Sequence, residues 1–160
     1  MDKMSILSDF SRTILHPKDT SYTGGLNSLH KKLDAELGDA YRVLDHFKFN
    51  TELMDFYRSL TDTSVNVFTT DVIQDHPHIR PELELVFENI FAANDLGLSK
   101  KDPNAYIFVA QKLNTRPSSI VYVDDQHANN EAARVAGMNI VHFDGNTSAV
   151  IEKIKHLLSK

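Results

Sequence analysis

Two adjacent carboxylates, Asp124 and Asp125, follow the apolar run Ile120-Val121-Tyr122-Val123. At the end of a buried strand such neighbours repel each other and require a compensating positive charge. A divalent cation is the natural candidate. Hard oxygen ligands favour Mg²⁺, which takes one or two carboxylates together with waters and a substrate phosphate. Taken alone, the pair equally suits solvated loop residues or caps for a helix beginning near His127. Other apolar runs end in the same way. Met4 to Leu7 leads to Asp9, and Val65-Asn66-Val67-Phe68 leads to Thr69-Thr70-Asp71. Ile90-Phe91-Ala92 precedes Asn94-Asp95, and Ile140-Val141-His142-Phe143 precedes Asp144-Gly145. Open parallel sheets bind ligands beyond the carboxyl ends of their strands, so these polar groups can share one crevice.

The elements that must position them alternate between apolar runs and helical patterns. This predicts an α/β fold with a doubly wound, Rossmann-like parallel sheet of about five strands. Asn50 caps a helix whose Leu53, Met54, Tyr57 and Leu60 share one face. Asp102-Pro103 reads as N-cap and first helical residue, with Tyr106, Val109, Ala110 and Leu113 as the buried stripe. Ala132, Ala133 and Val135 lie on a short helix ended by Gly137, and Val150, Ile151, Ile154, Leu157 and Leu158 line the last one. The region from about 16 to 47 breaks this alternation. His16 to Gly25 reads as loop, and Leu26 to Phe47 as two short helices divided at Gly38. His76 and His78 fall in a loop, and His127 reads as a capping or solvent-facing residue.

The run VYVDDQHANNEAARVAGMNIVHF resembles the fourth motif of the haloacid dehalogenase-like (HAD) hydrolase superfamily, in which a buried strand ends in two acidic residues. GLSKKDPNAYIFVAQKLN is similar to the third, with Lys100 as the motif lysine and Lys101 in the usual Pro position. Thr69 matches the hydroxyl of the second motif and Asp9 the nucleophile of the first. The resemblance implies a HAD-like core at about 1–15 and 48–160 with a minimal helical cap at about 16–47. For phosphatase-type members it also implies that Asp9 attacks phosphorus and forms an aspartyl-phosphate. Mg²⁺ would be held by Asp9, Asp125 and the backbone carbonyl of Ser11, with Asp124 nearby. Lys100 would balance the nucleophile and the transferring phosphoryl group, and Thr69 would hydrogen-bond a phosphoryl oxygen.

One departure bears on activity. The phosphatase motif is Asp-x-Asp-Gly-Thr, whereas this chain reads Asp9-Phe10-Ser11-Arg12-Thr13. The missing second Asp protonates the leaving oxygen and then activates water, which a Ser hydroxyl is too weak an acid to do. The expectation is a Mg²⁺-dependent phosphohydrolase or phosphotransferase that is slow or restricted to good leaving groups. The alternative is a degenerate member that binds metal or a phosphorylated ligand without turnover. A haloacid dehalogenase-type hydrolase is a lesser alternative, disfavoured because that chemistry needs no metal while both Asp124 and Asp125 are retained. Arg12, in place of Gly, either stabilises substrate charge or points outward.

Sixty residues separate Asp9 from Thr69, leaving a cap of roughly 30 residues, one helical hairpin at most. So small a cap leaves the crevice open to a phosphorylated small molecule or to an exposed phosphate on a macromolecule. A second subunit could also cover it, as a homodimer. The 160 residues carry a net charge of −5 and no Cys, which excludes thiol chemistry and argues against specific nucleic-acid binding. No apolar run is long enough to cross a bilayer, and the N-terminus lacks a signal-peptide pattern, so the expected location is cytoplasmic.

Overall fold

In the computed structural model, which describes residues 3–160, the apolar runs become the strands of one sheet. The chain forms β1 (Ser5–Ser8), β2 (Leu15–Pro17), α1 (Leu26–Leu37), α2 (Val43–His46), β3 (Phe47–Phe49), α3 (Thr51–Ser59) and β4 (Ser64–Thr69). There follow α4 (Arg80–Glu84), β5 (Asn89–Ala92), α5 (Ala93–Leu96), α6 (Pro103–Lys112), β6 (Ile120–Asp124), α7 (His127–Val135), β7 (Asn139–His142) and α8 (Thr147–Leu158). Five strands pair in parallel in the order β5-β4-β1-β6-β7.

Successive side chains of a strand point to opposite faces, and a sheet covered on both faces needs apolar residues on each. Ile6, Val65, Val67, Val121 and Val123 pack on one face with Leu53 and Tyr57 of α3 and Val150 and Ile154 of α8. Leu7, Phe68, Ile120 and Tyr122 pack on the other with Tyr106 and Val109 of α6 and Ala132 and Ala133 of α7. The order places β4 and β5 on one side of β1 and β6 and β7 on the other. The winding therefore reverses between β1 and β6, where a crevice opens at the strand ends. Asp9 and Asp124 stand at that point, since Ser8 pairs with Val123 and the Asp9 N–H donates to the Val123 carbonyl at 2.7 Å.

The helix starts form as their sequences predict. The Asn50 side chain accepts from the Leu53 N–H at 3.2 Å, and Asp102 accepts from the Asn104 N–H at 2.9 Å ahead of Pro103. Val135 of α7 is 60% exposed, and the buried face of that helix consists of Asn129, Asn130, Ala132 and Ala133.

The segment between β1 and α3 differs from expectation. Leu15–Pro17 and Phe47–Phe49 are short strands that pair antiparallel, with Leu15 opposite Phe49 and Pro17 opposite Phe47. Phe47 thus ends in a strand rather than in a helix. Three-residue strands carry no readable periodicity, and these two find each other only because the chain between them folds back. Gly38 does divide the helical stretch, at φ +52. The excursion is anchored to the core through Leu26, Tyr41, Val43 and Phe47, which cluster with Phe10, Ile14 and Leu15.

Candidate active site

Asp9 is 6% exposed at the end of β1. Its Oδ1 accepts from the Lys100 ammonium at 2.6 Å, and its Oδ2 accepts from the Thr13 hydroxyl at 3.3 Å. Lys100 comes from the turn before α6 and is equally buried. Its ammonium also donates to the Phe68 carbonyl at 3.0 Å and lies 3.1 Å from Asp124 Oδ2. One cation thereby ties together the ends of β1, β4 and β6. The Tyr106 hydroxyl of α6 donates to the Lys100 carbonyl at 2.6 Å and fixes the backbone that carries it.

Asp124 is fully buried and saturated. Its Oδ1 accepts from the Gln126 N–H at 2.9 Å. Its Oδ2 accepts from the Tyr122 hydroxyl and, at 3.1 Å, from Asn129 Nδ2. Asn130 Nδ2 donates to the Asp124 carbonyl at 3.0 Å. Burial alone would push the carboxyl up, but Lys100 and these donors hold it below the usual carboxylate range.

Asp125 is half-buried, and its buried Oδ1 has no hydrogen-bond partner. Burial and the neighbouring Asp124 push it up to about 6. Asp9 is likewise raised well above its ordinary value, by burial first, with Lys100 pulling it back and Asp124 and Asp125 adding to the rise. Lys100 is raised, because Asp9 and Asp124 outweigh the burial that would lower it. Two carboxylates, those of Asp9 and Asp124, thus share one ammonium, with the Asp125 carboxylate beside them.

One oxygen from each of Asp9, Asp124 and Asp125 lies within 4.8 Å of the other two, the one such group of ligands among the described residues. Oxygens on opposite sides of a six-coordinate Mg²⁺ are about 4.2 Å apart, so this spacing suits a small hard cation. The unpartnered Asp125 oxygen supplies an open ligand. Asp124 is already committed to the protein, which makes Asp125 the better direct ligand of the two.

Ser11 and Arg12 lie in a tight loop after β1, where the Phe10 carbonyl accepts from the N–H groups of Thr13, Ile14 and Leu15. The Ser11 hydroxyl is buried with no partner. Arg12 takes the left-handed conformation at φ +63, where a glycine would carry no strain. Its guanidinium neither faces the carboxylates nor points freely outward. It donates to the carbonyls of Tyr22 at 3.0 Å and Gly24 at 2.6 Å. Gly24 is close-packed there, since a Cβ would come within 2.5 Å of the Tyr22 hydroxyl oxygen. On the other side of the excursion, Asn27 Oδ1 of α1 accepts from the N–H groups of Val72 and Ile73, and Lys31 pairs with Asp71 at 2.7 Å. Both contacts fasten α1 to the loop that follows Thr69.

Thr69 is buried at the end of β4, one residue beyond the Phe68 carbonyl that Lys100 grips. The geometry thus brings Asp9, Ser11, Thr69, Lys100, Asp124 and Asp125 to one end of the sheet. Sequence reasoning missed Thr13, Tyr122, Asn129 and Asn130. Thr13 had a signal in its place four residues after Asp9. The hydroxyl of Tyr122 had none, because an aromatic in an apolar run reads as core. His127 stacks on His142 with ring centroids 3.9 Å apart, outside the carboxylate group.

Residues 79–143 match the family model described as haloacid dehalogenase-like hydrolase. That segment contains Lys100, Asp124 and Asp125 and does not extend to Asp9, Ser11 or Thr69. Solved structures align over most of the chain. A predicted HAD-like family hydrolase from Porphyromonas gingivalis is 15% identical, covering 98% of each chain at a TM-score of 0.69. A HAD family enzyme from Bacteroides thetaiotaomicron, solved with magnesium and inorganic phosphate, is 12% identical over 91% of this chain and 96% of that one, at 0.67. A 2-haloacid dehalogenase from Pseudomonas syringae pv. Tomato is 12% identical, covering 99% of each at 0.66. At these identities the likeness is one of fold, and the fold of this chain is the α/β Rossmann-like fold of the HAD class.

Proposed function

We propose that this protein is a Mg²⁺-dependent HAD-like phosphohydrolase or phosphotransferase that acts through an aspartyl-phosphate on Asp9. The observation that carries the reading is the cluster of Asp9, Asp124 and Asp125, in which Lys100 pairs with the first two and an Asp125 oxygen is left unpartnered. Asp9, Asp125 and the Ser11 carbonyl would hold a magnesium ion, with Asp124 nearby, and the ion would supply the positive charge that lets a carboxylate approach a phosphate.

The chain's own residues do the rest. Thr13 holds one oxygen of Asp9 and Lys100 the other, which orients the carboxylate for attack on phosphorus. The new bond joins an Asp9 oxygen to phosphorus while the bond from phosphorus to the leaving oxygen breaks. Lys100 neutralises charge on the transferring group, and the Thr69 hydroxyl donates to a phosphoryl oxygen. Water then attacks the aspartyl-phosphate and restores Asp9. Ser11 leaves both steps without a general acid or base, which is typically worth about 10²–10⁴-fold. Turnover is therefore slow or confined to good leaving groups. The ligand is a phosphorylated small molecule, and the segment at about 16–47 is a minimal cap.

The test is hydrolysis of p-nitrophenyl phosphate with and without Mg²⁺, in the wild type and in Asp9→Asn. Activity that needs both Mg²⁺ and Asp9, and falls at least about a thousandfold in the variant, is the expected result. The second reading, binding without turnover, draws on the same Ser11. It is favoured if Mg²⁺ and phosphate bind but no substrate is consumed.

A further inference from the structure

Beside Lys100 lies a cleft of about 320 Å³. Amide and hydroxyl side chains line it, those of Thr70, Asn94, Ser99, Gln126 and Asn129, and Lys101 adds a cation. Two small apolar patches complete the wall, and none of its lining side chains is aromatic. Among the described residues, the Lys101 ammonium forms no ion pair, while its backbone N–H donates to Ser99 Oγ at 3.2 Å. The cleft therefore offers one uncompensated positive charge and several neutral hydrogen-bonding groups. It offers no surface on which a nucleobase could stack, and its size is at the lower end for small-molecule pockets.

The second observation is at the nucleophile. Asp9 is flanked by Thr13 and Lys100, Asp124 is saturated, and Asp125 would be taken up as a ligand of the cation. Where the family's motif provides an acid, the Ser11 hydroxyl is buried and unpartnered. An alkoxide leaving group departs from such a site only with difficulty, because nothing protonates it. A carboxylate needs no proton to leave.

We infer that the substrate is an acyl phosphate of a small polar carboxylic acid, its phosphoryl group passing to Asp9 and its carboxylate released into the cleft beside Lys101. The inference rests on the phosphohydrolase reading. In the first step the bond from Asp9 oxygen to phosphorus forms and the phosphorus–oxygen bond of the mixed anhydride breaks. The electron pair goes to the acyl oxygen, which leaves as a resonance-stabilised anion. In the second step water adds its oxygen to phosphorus, its protons pass to phosphate or solvent, and the Asp9 carboxylate is itself the leaving group. Neither departure requires an acid. A leaving di- or triphosphate also needs little protonation, but the single ammonium of Lys101 and the small cleft match one negative charge on a small body.

The probes are acetyl phosphate, p-nitrophenyl phosphate and glycerol 3-phosphate with saturating Mg²⁺ at neutral pH. Spontaneous loss is measured with Asp9→Asn, and phosphoenzyme is trapped by acid quench and read by mass spectrometry. The expected kcat/KM for acetyl phosphate exceeds that for glycerol 3-phosphate by at least about 10²-fold and also exceeds that for the aryl ester. Acetate release shows a burst, with phosphate on Asp9. Ser11→Asp raises the ratio of glycerol 3-phosphate to acetyl phosphate turnover by about 10²-fold. Lys101→Ala lowers the ratio of acetyl phosphate to p-nitrophenyl phosphate kcat/KM by about tenfold. Equal turnover of alkyl and acyl phosphates would overturn the inference and leave the phosphohydrolase reading intact. So would faster turnover of the aryl ester. An unchanged ratio in Lys101→Ala would overturn the role of the cleft. No turnover and no phosphoenzyme with any probe would overturn the phosphohydrolase reading itself.

Discussion

At the end of β6 both oxygens of Asp124 are engaged, by Lys100, Tyr122, Asn129 and the Gln126 N–H. At the end of β1 the chain passes within three residues to a hydroxyl with no partner and an arginine at φ +63. The first region is a mount whose central carboxylate is fully engaged. The second spends backbone strain and leaves a polar group unsatisfied, and its arginine ties the loop to Tyr22 and Gly24. Buried polar networks of the first kind position groups, because every member restrains its neighbours. Departures of the second kind concentrate where function is set. The contrast places the common machinery of the site on β6 and α6, and its individual character on the loop after β1.

The strongest way to break the mount is Lys100→Met. Removing the one ammonium leaves Asp9 and Asp124 buried without a counter-charge, and loss of a buried partner costs about 3–5 kcal/mol. Urea denaturation of the metal-free protein reads this as a lower midpoint, and Asp9→Asn added to Lys100→Met recovers part of the loss. Tyr122→Phe tests the mount more finely. It removes one donor from a saturated carboxylate, with an expected loss of about 1–2 kcal/mol in the same measurement.

Asp125→Asn works in the opposite direction. Its carboxyl is raised to about 6 from an unfolded value of 3.8, so its charged form is disfavoured in the folded protein. Above pH 6 that charge destabilises the metal-free fold. As pH falls below about 6 the folded-state group takes up a proton, and this contribution to instability shrinks until it is gone near the unfolded value of 3.8. The variant should therefore raise the metal-free Tm at pH 7.5 and lose that part of the pH dependence. Mg²⁺ should raise the wild-type Tm at pH 7.5, less at pH 5.5, and not in the variant. A variant whose Tm still responds fully to Mg²⁺ would remove Asp125 from the ligand set.

The smallest effect is expected at Arg12→Gly. The substitution relieves about 1–2 kcal/mol of left-handed strain and forfeits two hydrogen bonds of similar total worth. Global stability should change by less than about 1 kcal/mol. Limited proteolysis near residues 18–25 should nonetheless quicken severalfold, since the loop loses its tether. Unchanged cleavage there would show that Tyr22 and Gly24 are held by the rest of the excursion alone.

Much of the fold was legible because its signals are local. Apolar runs of four or five residues ending in acid or hydroxyl mark strands buried on both faces, and Asn50 and Asp102-Pro103 mark helix starts by capping chemistry alone. The strands β2 and β3 were not legible, because three residues make no pattern and their pairing depends on 29 residues between them folding back. Arg12 was not legible either, since its partners are backbone carbonyls, which any residue could supply.

Residue types by themselves determined the chemistry available: carboxylates at Asp9, Asp124 and Asp125, one lysine in a helix-start motif, and no acid at Ser11. They did not determine which carboxylate stays free. That was decided by the tertiary structure, where Tyr122 and Asn129 saturate Asp124 and leave an oxygen of Asp125 bare. The physical reason is that the identity of a group is local, whereas its solvation and its partners are set by whatever the fold packs around it.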